Sequence, residues 1–328
     1  MKKTTLIILS TLVVGGVIYA FGPRPNSIST KEYKFDLPDA SQELEDLINQ
    51  SELSTPGLKP DNQARIIWAD TSKKEMTENA FLYLHGFSAS QEEGDPVIQD
   101  IAKHFGGNLY LNRLIGHGID LGDETMSDFT AEKAIESVEK ALAITQKLGK
   151  KVHIVGTSFG GALTLYLASK HPEISTITLY SPCIEIADPS AKLLDKPWGH
   201  QIAKLVKGEN FNDITKVNEI QPKYWSMHYR LEAVVQLQNF LSTFMVPATF
   251  EKIDIPVFVG YYYKDEENQD KVVSVPAILK MYDTLGSKNK EKMAFPNTGN
   301  HVMASYVHSK DYQTVEKESI FFLSKYIK

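Results

Sequence analysis

The chain has 328 residues, of which 42% are apolar and 23% are charged, and its formal net charge is −6. This composition is that of an ordinary globular protein, which excludes a disordered or fibrous chain. No long run of lysines and arginines is present, so nothing in the sequence indicates nucleic-acid binding. The single cysteine, Cys183, excludes an intrachain disulfide and a cysteine-based metal site.

The first segment of the chain is hydrophobic. Two lysines precede an apolar run over Leu6–Phe21, whose length is at the short end of what spans a bilayer, roughly 17–25 residues. Residues 1–22 are interpreted as a membrane anchor, with a secretory signal cleaved after Ala20 as the alternative. Because the lysines should stay in the cytoplasm, the rest of the chain is expected outside it, in the periplasm or cell envelope of a bacterium.

Residues 23–63 are predicted to form a polar tether and an N-terminal extension with a helix at Ala40–Ser51. From Ala64 onwards, apolar strand patterns alternate with amphipathic helix patterns. The predicted strands are Ala64–Ala69, Ala80–Leu84, Asn108–Leu111, Lys151–Gly156, Ile174–Ser181, Pro256–Tyr263 and Glu291–Phe295. The predicted helices are Pro96–Phe105, Ala131–Leu148, Phe159–Lys170, Val275–Leu285 and Tyr312–Ile327. This alternation predicts an α/β fold, with a mostly parallel central sheet flanked by helices.

One segment interrupts this alternation. Between Pro182 and Ile253 the sequence has helical patterns, but no pattern of a central strand. We interpret residues 183–252 as an insertion that forms a helical cap, which leaves 64–182 and 253–328 as the α/β core. The helical patterns within the cap are Leu193–Gly208 and Tyr224–Phe244.

A glycine-rich turn, Gly156-Thr157-Ser158-Phe159-Gly160, matches G-x-S-x-G between a predicted strand and a predicted helix. In this setting the serine occupies a strained turn that lifts its hydroxyl above the sheet, and small neighbours let strand and helix approach. The N-terminus of the following helix favours negative charge at the reacting centre. Ser158 is therefore predicted to be a nucleophile.

A serine hydroxyl needs a base to take its proton, and that base needs a carboxylate to orient it. His301 is the predicted base, because it follows the last predicted strand and G-x-S-x-G hydrolases have the chain order serine, acid, histidine. Asp270 is the preferred acid, because the apolar D-x-V-V run turns back into the core. Asp265, directly after the preceding strand, and Asp188 remain alternatives.

Two backbone N–H groups are predicted to bind the oxyanion of the transition state. One belongs to Phe159, the residue after the nucleophile, and the other to Phe87, in the loop that follows the strand Ala80–Leu84. Gly86 permits a close approach of the backbone there. This chemistry requires neither a metal nor a cofactor.

These residues resemble those of a known family. Within the α/β hydrolases, the chain resembles the monoacylglycerol lipase and carboxylesterase branch, also described as serine-aminopeptidase-like (S33-type) hydrolases. The resemblance covers roughly Ala64 to the C-terminus, but not Ser27–Gln63, and the acid loop Lys264–Lys271 is longer than usual. The motifs that carry it, in the order seen in the family, are His85-Gly86-Phe87, Arg113-Leu114-Ile115-Gly116-His117-Gly118, Gly156-Thr157-Ser158-Phe159-Gly160 and Gly299-Asn300-His301.

The resemblance implies hydrolysis of a carboxylic ester, with a small-molecule ester or lipid-like substrate and a lid that fits residues 183–252. The aromatic residues of this segment either accommodate an apolar acyl group or dock the cap onto the core. Two other functions remain open. An aminopeptidase would need a carboxylate pair, for which Glu185, Glu209 and Glu219 are candidates, and an inactive envelope protein could use the same fold for binding.

Overall fold

The computed structural model describes residues 15–328. The strands are β1 (Arg65–Ile67), β2 (Thr77–Leu84), β3 (Asn108–Leu111), β4 (Gly149–Thr157), β5 (Thr176–Tyr180), β6 (Phe211–Asp213), β7 (His228–Arg230), β8 (Val257–Tyr261) and β9 (Lys290–Ala294). Over the described range, seven of them form one sheet in the order β1-β3-β2-β4-β5-β8-β9. Only the β1–β3 pair of this sheet is antiparallel. The predicted α/β fold is thereby confirmed.

Helices connect these strands. The α-helices are α1 (Ser41–Leu53), α2 (Val97–His104), α3 (Ala131–Leu148), α4 (Phe159–Lys170), α5 (Gly199–Lys207), α6 (Gln221–Tyr224), α7 (Leu231–Phe244), α8 (Pro247–Phe250), α9 (Val275–Thr284) and α10 (Tyr312–Leu323). Short 3₁₀ helices lie at Gln91–Gly94, Gly122–Glu124 and Pro189–Leu193. The helices predicted for the core differ from those observed by at most a few residues at their ends.

The strand β2, in the interior of the sheet, is buried on both faces from Ala80 to Leu84. Its side chains alternate, as the pleat of a strand requires. Ala80, Leu82 and Leu84 pack into a core that includes residues of α3, α4 and α9. Phe81 and Tyr83 pack into a second core with residues of α2 and α10. Burial of a large apolar side chain contributes about 1.5–3 kcal/mol, so the two cores hold the strand ends, and the loops that follow them, in fixed positions.

The segment predicted as a cap lies between β5 and β8, and its local structure differs from the prediction in three respects. The helix predicted over Leu193–Gly208 begins only at Gly199. The strands β6 and β7 pair as an antiparallel ribbon that the sequence did not predict, because three-residue strands are too short to show an alternating pattern. The helix predicted from Tyr224 onwards begins only at Leu231, since the residues before it form the ribbon strand β7.

The N-terminal extension, residues 23–63, is fastened to both the core and the cap segment. In α1, the Glu52 carboxylate binds the guanidinium of Arg113 through two hydrogen bonds of 2.6 and 3.0 Å. After α1, Lys59 Nζ donates to the carbonyl oxygens of Pro222 and Trp225 at 3.1 and 2.9 Å. The extension thus holds the part of the cap segment that contains α6.

Residues 1–14 of the predicted membrane anchor lie outside the described residues. The described part of that segment includes a helix at residues 15–20, and the indole N–H of Trp198 donates to the carbonyl oxygen of Ile18 at 3.0 Å. Within residues 15–328, no helix combines the length and the apolar character needed to cross a membrane.

Candidate active site

Ser158 lies between the end of β4 and the start of α4. Its backbone has φ 53° and ψ −115°, a conformation that costs a non-glycine residue about 1–3 kcal/mol. The surrounding backbone holds it there, because the Ser158 N–H donates to Tyr180 O at 2.9 Å and its carbonyl accepts from the Cys183 N–H at 2.8 Å. The residue is only 6% exposed. The predicted strained turn between strand and helix is therefore present.

Two glycines make this turn possible. A Cβ atom at Gly160 would overlap the carbonyl oxygen of Leu84 and lie 2.7 Å from that of His85. A Cβ atom at Gly156 would lie 2.6 Å from the carbonyl oxygen of Gly160. Because backbone atoms cannot move away as a flexible side chain can, only glycine lets α4 approach the ends of β2 and β4 this closely.

His301 and Asp270 form a buried pair on the loops that follow β9 and β8. His301 Nδ1 lies 2.6 Å from Asp270 Oδ2, and the two side chains are 10% and 0% exposed. The other oxygen of Asp270 accepts the backbone N–H groups of Val272 and Val273 at 2.9 and 3.1 Å. The D-x-V-V run thus orients the carboxylate towards the imidazole.

The two alternative acids lie elsewhere. Asp265 is exposed, and its Oδ1 accepts the backbone N–H groups of Glu267 and Asn268 within its own turn. Asp188 caps the 3₁₀ helix Pro189–Leu193 by accepting the Ser190 N–H at 2.9 Å. Of the three candidates, the structure brings only Asp270 to His301.

The pKa values of the buried pair move in opposite directions. Burial opposes ionisation of Asp270, but the positive charge and hydrogen bond of His301 outweigh it and lower the pKa of the carboxyl. Burial likewise opposes protonation of His301, but the charge and hydrogen bond of Asp270, and the charge of Glu93, raise its pKa above 6.5. The site therefore stabilises an imidazolium, which is the form that a general base acquires during catalysis.

The loop after β2 contains the predicted oxyanion donor, Phe87. His85 Nε2 accepts the Leu114 N–H at 3.1 Å, so its Nδ1 carries the proton and donates to Gly86 O at 2.9 Å. Burial lowers the pKa of this histidine to about 4, which keeps it neutral. Neither the Phe87 nor the Phe159 N–H donates to a backbone carbonyl of the described chain. Both N–H groups remain free to bind an oxyanion.

Aromatic rings surround this loop. The Phe87 ring meets those of Phe129, Phe159 and Tyr229 edge to face, with centroids 5.3, 5.9 and 5.7 Å apart. From the cap segment, Phe240 packs on Phe159 at 5.3 Å. The aromatic residues Tyr229 and Phe240 of the cap segment therefore dock it onto the core.

The segment predicted as a cap also contacts two loops of the site. The backbone N–H of Ser226 donates to the carbonyl oxygen of Ser88, in the loop that contains Phe87, at 2.7 Å. The neighbouring Trp225 clusters with Ala89 and with Val302, the residue after His301. The segment therefore packs against the loops that contain Phe87 and His301.

One buried group near the site was not predicted from the sequence. Glu93, in the 3₁₀ helix Gln91–Gly94, is 2% exposed, and it accepts the backbone N–H of Gly86. Burial raises the pKa of its carboxyl to about 7. A single acidic residue in a short polar turn has no periodic signal, and so the sequence alone did not distinguish Glu93 from a solvated side chain.

Comparison with known proteins places this site in a family context. Residues 79–271 match the family model of the alpha/beta hydrolase fold. A thermostable monoacylglycerol lipase from Bacillus sp. (strain H-257) is 33% identical over 105 residues, which span 32% of this chain and 41% of the lipase. The chain thus matches about two fifths of the length of that relative.

Solved structures agree at the level of the fold. One of the metagenome-derived lipolytic enzymes LipS and LipT superposes with a TM-score of 0.66 at 18% identity, over 82% of this chain and 99% of its own. The monoacylglycerol lipase of Paleococcus ferrophilus gives a TM-score of 0.57 at 14% identity, over 77% and 97% of the two chains.

Proposed function

Because this chain belongs to the α/β-hydrolase family, we propose that it is a serine hydrolase that cleaves carboxylic esters through an acyl-enzyme. The observation that carries the proposal is the buried contact of 2.6 Å between His301 Nδ1 and Asp270 Oδ2. This contact leaves Nε2 as the nitrogen that takes up a proton, and Ser158 lies in the turn typical of a nucleophile in this family.

The reaction follows from these roles. Ser158 Oγ attacks the ester carbonyl while His301 Nε2 takes its proton, and Asp270 holds the imidazole in the required tautomer. The N–H groups of Phe87 and Phe159 bind the oxyanion, and each such donor is typically worth about 2.7–4 kcal/mol of transition-state stabilisation. The protonated His301 then passes its proton to the leaving alcohol. A water molecule, activated by the same histidine, releases the acid and regenerates the serine.

The surroundings of Ser158 favour an ester with an apolar acyl group, of the monoacylglycerol or short-to-medium acyl type. Phe159, the residue after Ser158, and Phe87 of the predicted oxyanion loop have apolar rings that pack edge to face at 5.9 Å. Of the carboxylates that an aminopeptidase would need, Glu185 and Glu219 are instead bound to Lys192 and Lys216 at the surface. We assign residues 183–252 to a cap that must open for such a substrate to enter.

Activity-based labelling tests the proposal. The protein is incubated with a fluorophosphonate probe and, separately, with p-nitrophenyl esters of increasing acyl length. We expect labelling and turnover by the natural chain and neither by Ser158→Ala. Ser169→Ala is the matched control, since Ser169 lies near the other end of α4 and donates to Tyr166 O, and it should behave like the natural chain. A natural chain that neither labels nor cleaves any ester would exclude the esterase and favour the non-catalytic binding protein.

We further propose that the N-terminal segment anchors the protein, with the catalytic body outside the cytoplasm. Exposed apolar side chains support a lipid-facing surface near this segment. Phe21 is 86% exposed, and Leu205 and Val206 of α5, the helix that begins directly after Trp198, are 83% and 80% exposed. In bacterial cells, the chain should stay in the membrane fraction after a carbonate wash and be digested by protease added to spheroplasts. Recovery in the soluble cytoplasmic fraction would contradict this placement.

A further inference from the structure

Glu93 is a buried carboxylate beside the proposed nucleophile. Its side chain is 2% exposed, and no lysine or arginine of the described chain pairs with it. The positive charge that stabilises the ionised form of Glu93 is that of protonated His301. A buried carboxylate without a cation is costly, and burial raises the pKa of Glu93 to about 7, so this group carries its negative charge above that pH.

The 3₁₀ helix that contains Glu93 is tied to the loop that follows His301. Ser305 Oγ donates to the carbonyl oxygen of Glu92 at 2.7 Å, and Tyr306 Oη donates to the Glu92 carboxylate at 2.6 Å. The Tyr306 N–H also donates to the carbonyl oxygen of Asp95 at 3.1 Å. The position of Glu93 is therefore set from the histidine loop on one side.

On its other side, Glu93 meets the oxyanion loop. The Gly86 N–H donates to Glu93 Oε2. A Cβ atom at Gly86 would lie 2.7 Å from Glu93 Oε1 and 3.0 Å from Ser158 Cβ, so the carboxylate and the nucleophile flank the same peptide. Fixing the Gly86 peptide also restrains the next one, which carries the Phe87 N–H.

Few titratable groups face this arrangement. Around His301 they are Asp270, Glu93 and His308, whose pKa is lowered by burial and by the charge of His301. Around Glu93 they are His301 and the buried phenol of Tyr83. A change in the charge of Glu93 therefore acts chiefly on the protonation of His301.

We propose that Glu93 is a positioning residue of the active site, which holds the Gly86–Phe87 backbone for oxyanion binding and supplies His301 with a second negative charge besides Asp270. This inference rests on the proposed esterase function for its catalytic consequence. Its electrostatic part concerns only the proton affinity of His301 and can be measured without any substrate.

The substitution Glu93→Gln isolates the charge, because the amide oxygen still accepts the Gly86 N–H. With one negative charge less, His301 should hold its proton less tightly, so its pKa should fall, because the charge of Glu93 is one of the causes that raise it. The pKa is read by an NMR titration of the full chain, with the His301 signals assigned from their loss in His301→Gln. Glu92→Gln is the matched control, since it removes from the same helix a carboxylate that is bound to Tyr306 instead of Gly86.

An unchanged His301 pKa in Glu93→Gln, or an equal shift in Glu92→Gln, would overturn the electrostatic role. In ester hydrolysis, the acid limb of kcat/KM should move to lower pH by the same amount. If Glu93→Gln lowers the pKa of His301 but the natural chain cleaves no ester, the proposed function is refuted, while the coupling between Glu93 and His301 stands.

The substitution Glu93→Met isolates the hydrogen bond, because it lacks the charge like Glu93→Gln but also lacks an acceptor. We expect kcat/KM at pH 8.5 to fall about tenfold or more below that of Glu93→Gln, since a displaced oxyanion donor costs up to about 10²–10³-fold. Equal activity of the two variants would overturn the positioning role. If Glu93→Met does not fold, the hydrogen exchange of the Gly86 amide in the natural chain decides, and an unprotected amide there would count against the role.

Discussion

The substitution Asp270→Asn tests the proposed acid in a way that the hydrogen bonds of the structure make specific. Asp270 Oδ1 accepts the Val272 and Val273 N–H groups, while Oδ2 faces His301 Nδ1. An asparagine at this position must place its side-chain carbonyl oxygen where Oδ1 now lies, because only an oxygen can accept the Val272 and Val273 N–H groups. Its amide NH₂ then faces His301 Nδ1 and forces that nitrogen to act as the acceptor.

The consequence is a change of tautomer. With Nδ1 unprotonated, the proton of the neutral imidazole lies on Nε2, the nitrogen that should take the proton of Ser158. In serine hydrolases with this substitution, the wrong tautomer lowers kcat by about 10⁴-fold while the geometry is preserved. We expect a loss of that order for Asp270→Asn, measured as kcat on a p-nitrophenyl ester, with the circular dichroism spectrum unchanged.

Asp265→Asn is the matched control, because Asp265 lies on the same loop and bonds only within its own turn. It should retain activity within about twofold of the natural chain, as is usual for an exposed substitution away from the site. If Asp270→Asn keeps a tenth or more of the natural kcat, or if Asp265→Asn is the damaging change, the assignment of the acid is refuted.

Three further predictions follow from the geometry of the site and its cover. The charges around His301 outweigh its burial and raise its pKa above 6.5. Because only the neutral imidazole can accept a proton, kcat/KM should fall as the pH drops through the pKa of His301. An acid limb below pH 6 would contradict this prediction. Gly160→Ala should unfold the turn or lower the free energy of unfolding by about 2 kcal/mol or more, because its Cβ would overlap Leu84 O, whereas an unchanged melting temperature would show that the backbone can yield. Lys59→Met removes two hydrogen bonds to Pro222 and Trp225, so the amides of residues 221–227 should exchange faster by mass spectrometry, and unchanged exchange would show that Lys59 does not hold the cap segment.

Much of the core could be predicted from the sequence because each of its signals is local. The strand β3 and the helices α3 and α4 begin and end where the sequence predicted them, since continuous apolar runs and amphipathic periodicity determine them directly. The turn at Ser158 carries its own glycines, and the chain order of the family pointed to His301. The acid was harder, because both aspartates lie on one long loop and both accept backbone N–H groups that follow them. Asp270 is distinguished by its burial and by its contact with His301.

The parts that could not be predicted depend on contacts between distant segments. Glu93 acquires its significance from Gly86 and His301, which are brought to it by the ends of β2 and β9. The ribbon of β6 and β7 pairs residues that are distant in the chain, as in the pairing of Phe211 with Arg230, and neither strand has a pattern of its own. The docking of Phe240 and Trp225 likewise depends on surfaces that only the folded core provides.

The attachment of the N-terminal extension to the cap has a consequence for protein engineering. Lys59 and Asn62 hold the carbonyl oxygens of residues 222, 223 and 225, although they lie before residue 79, where the family match begins. The extension and the cap segment are therefore coupled by these hydrogen bonds. A chimaera that receives the cap of a relative without its own matching extension would lose these fastenings, and a soluble version trimmed back to the family core would lose them as well.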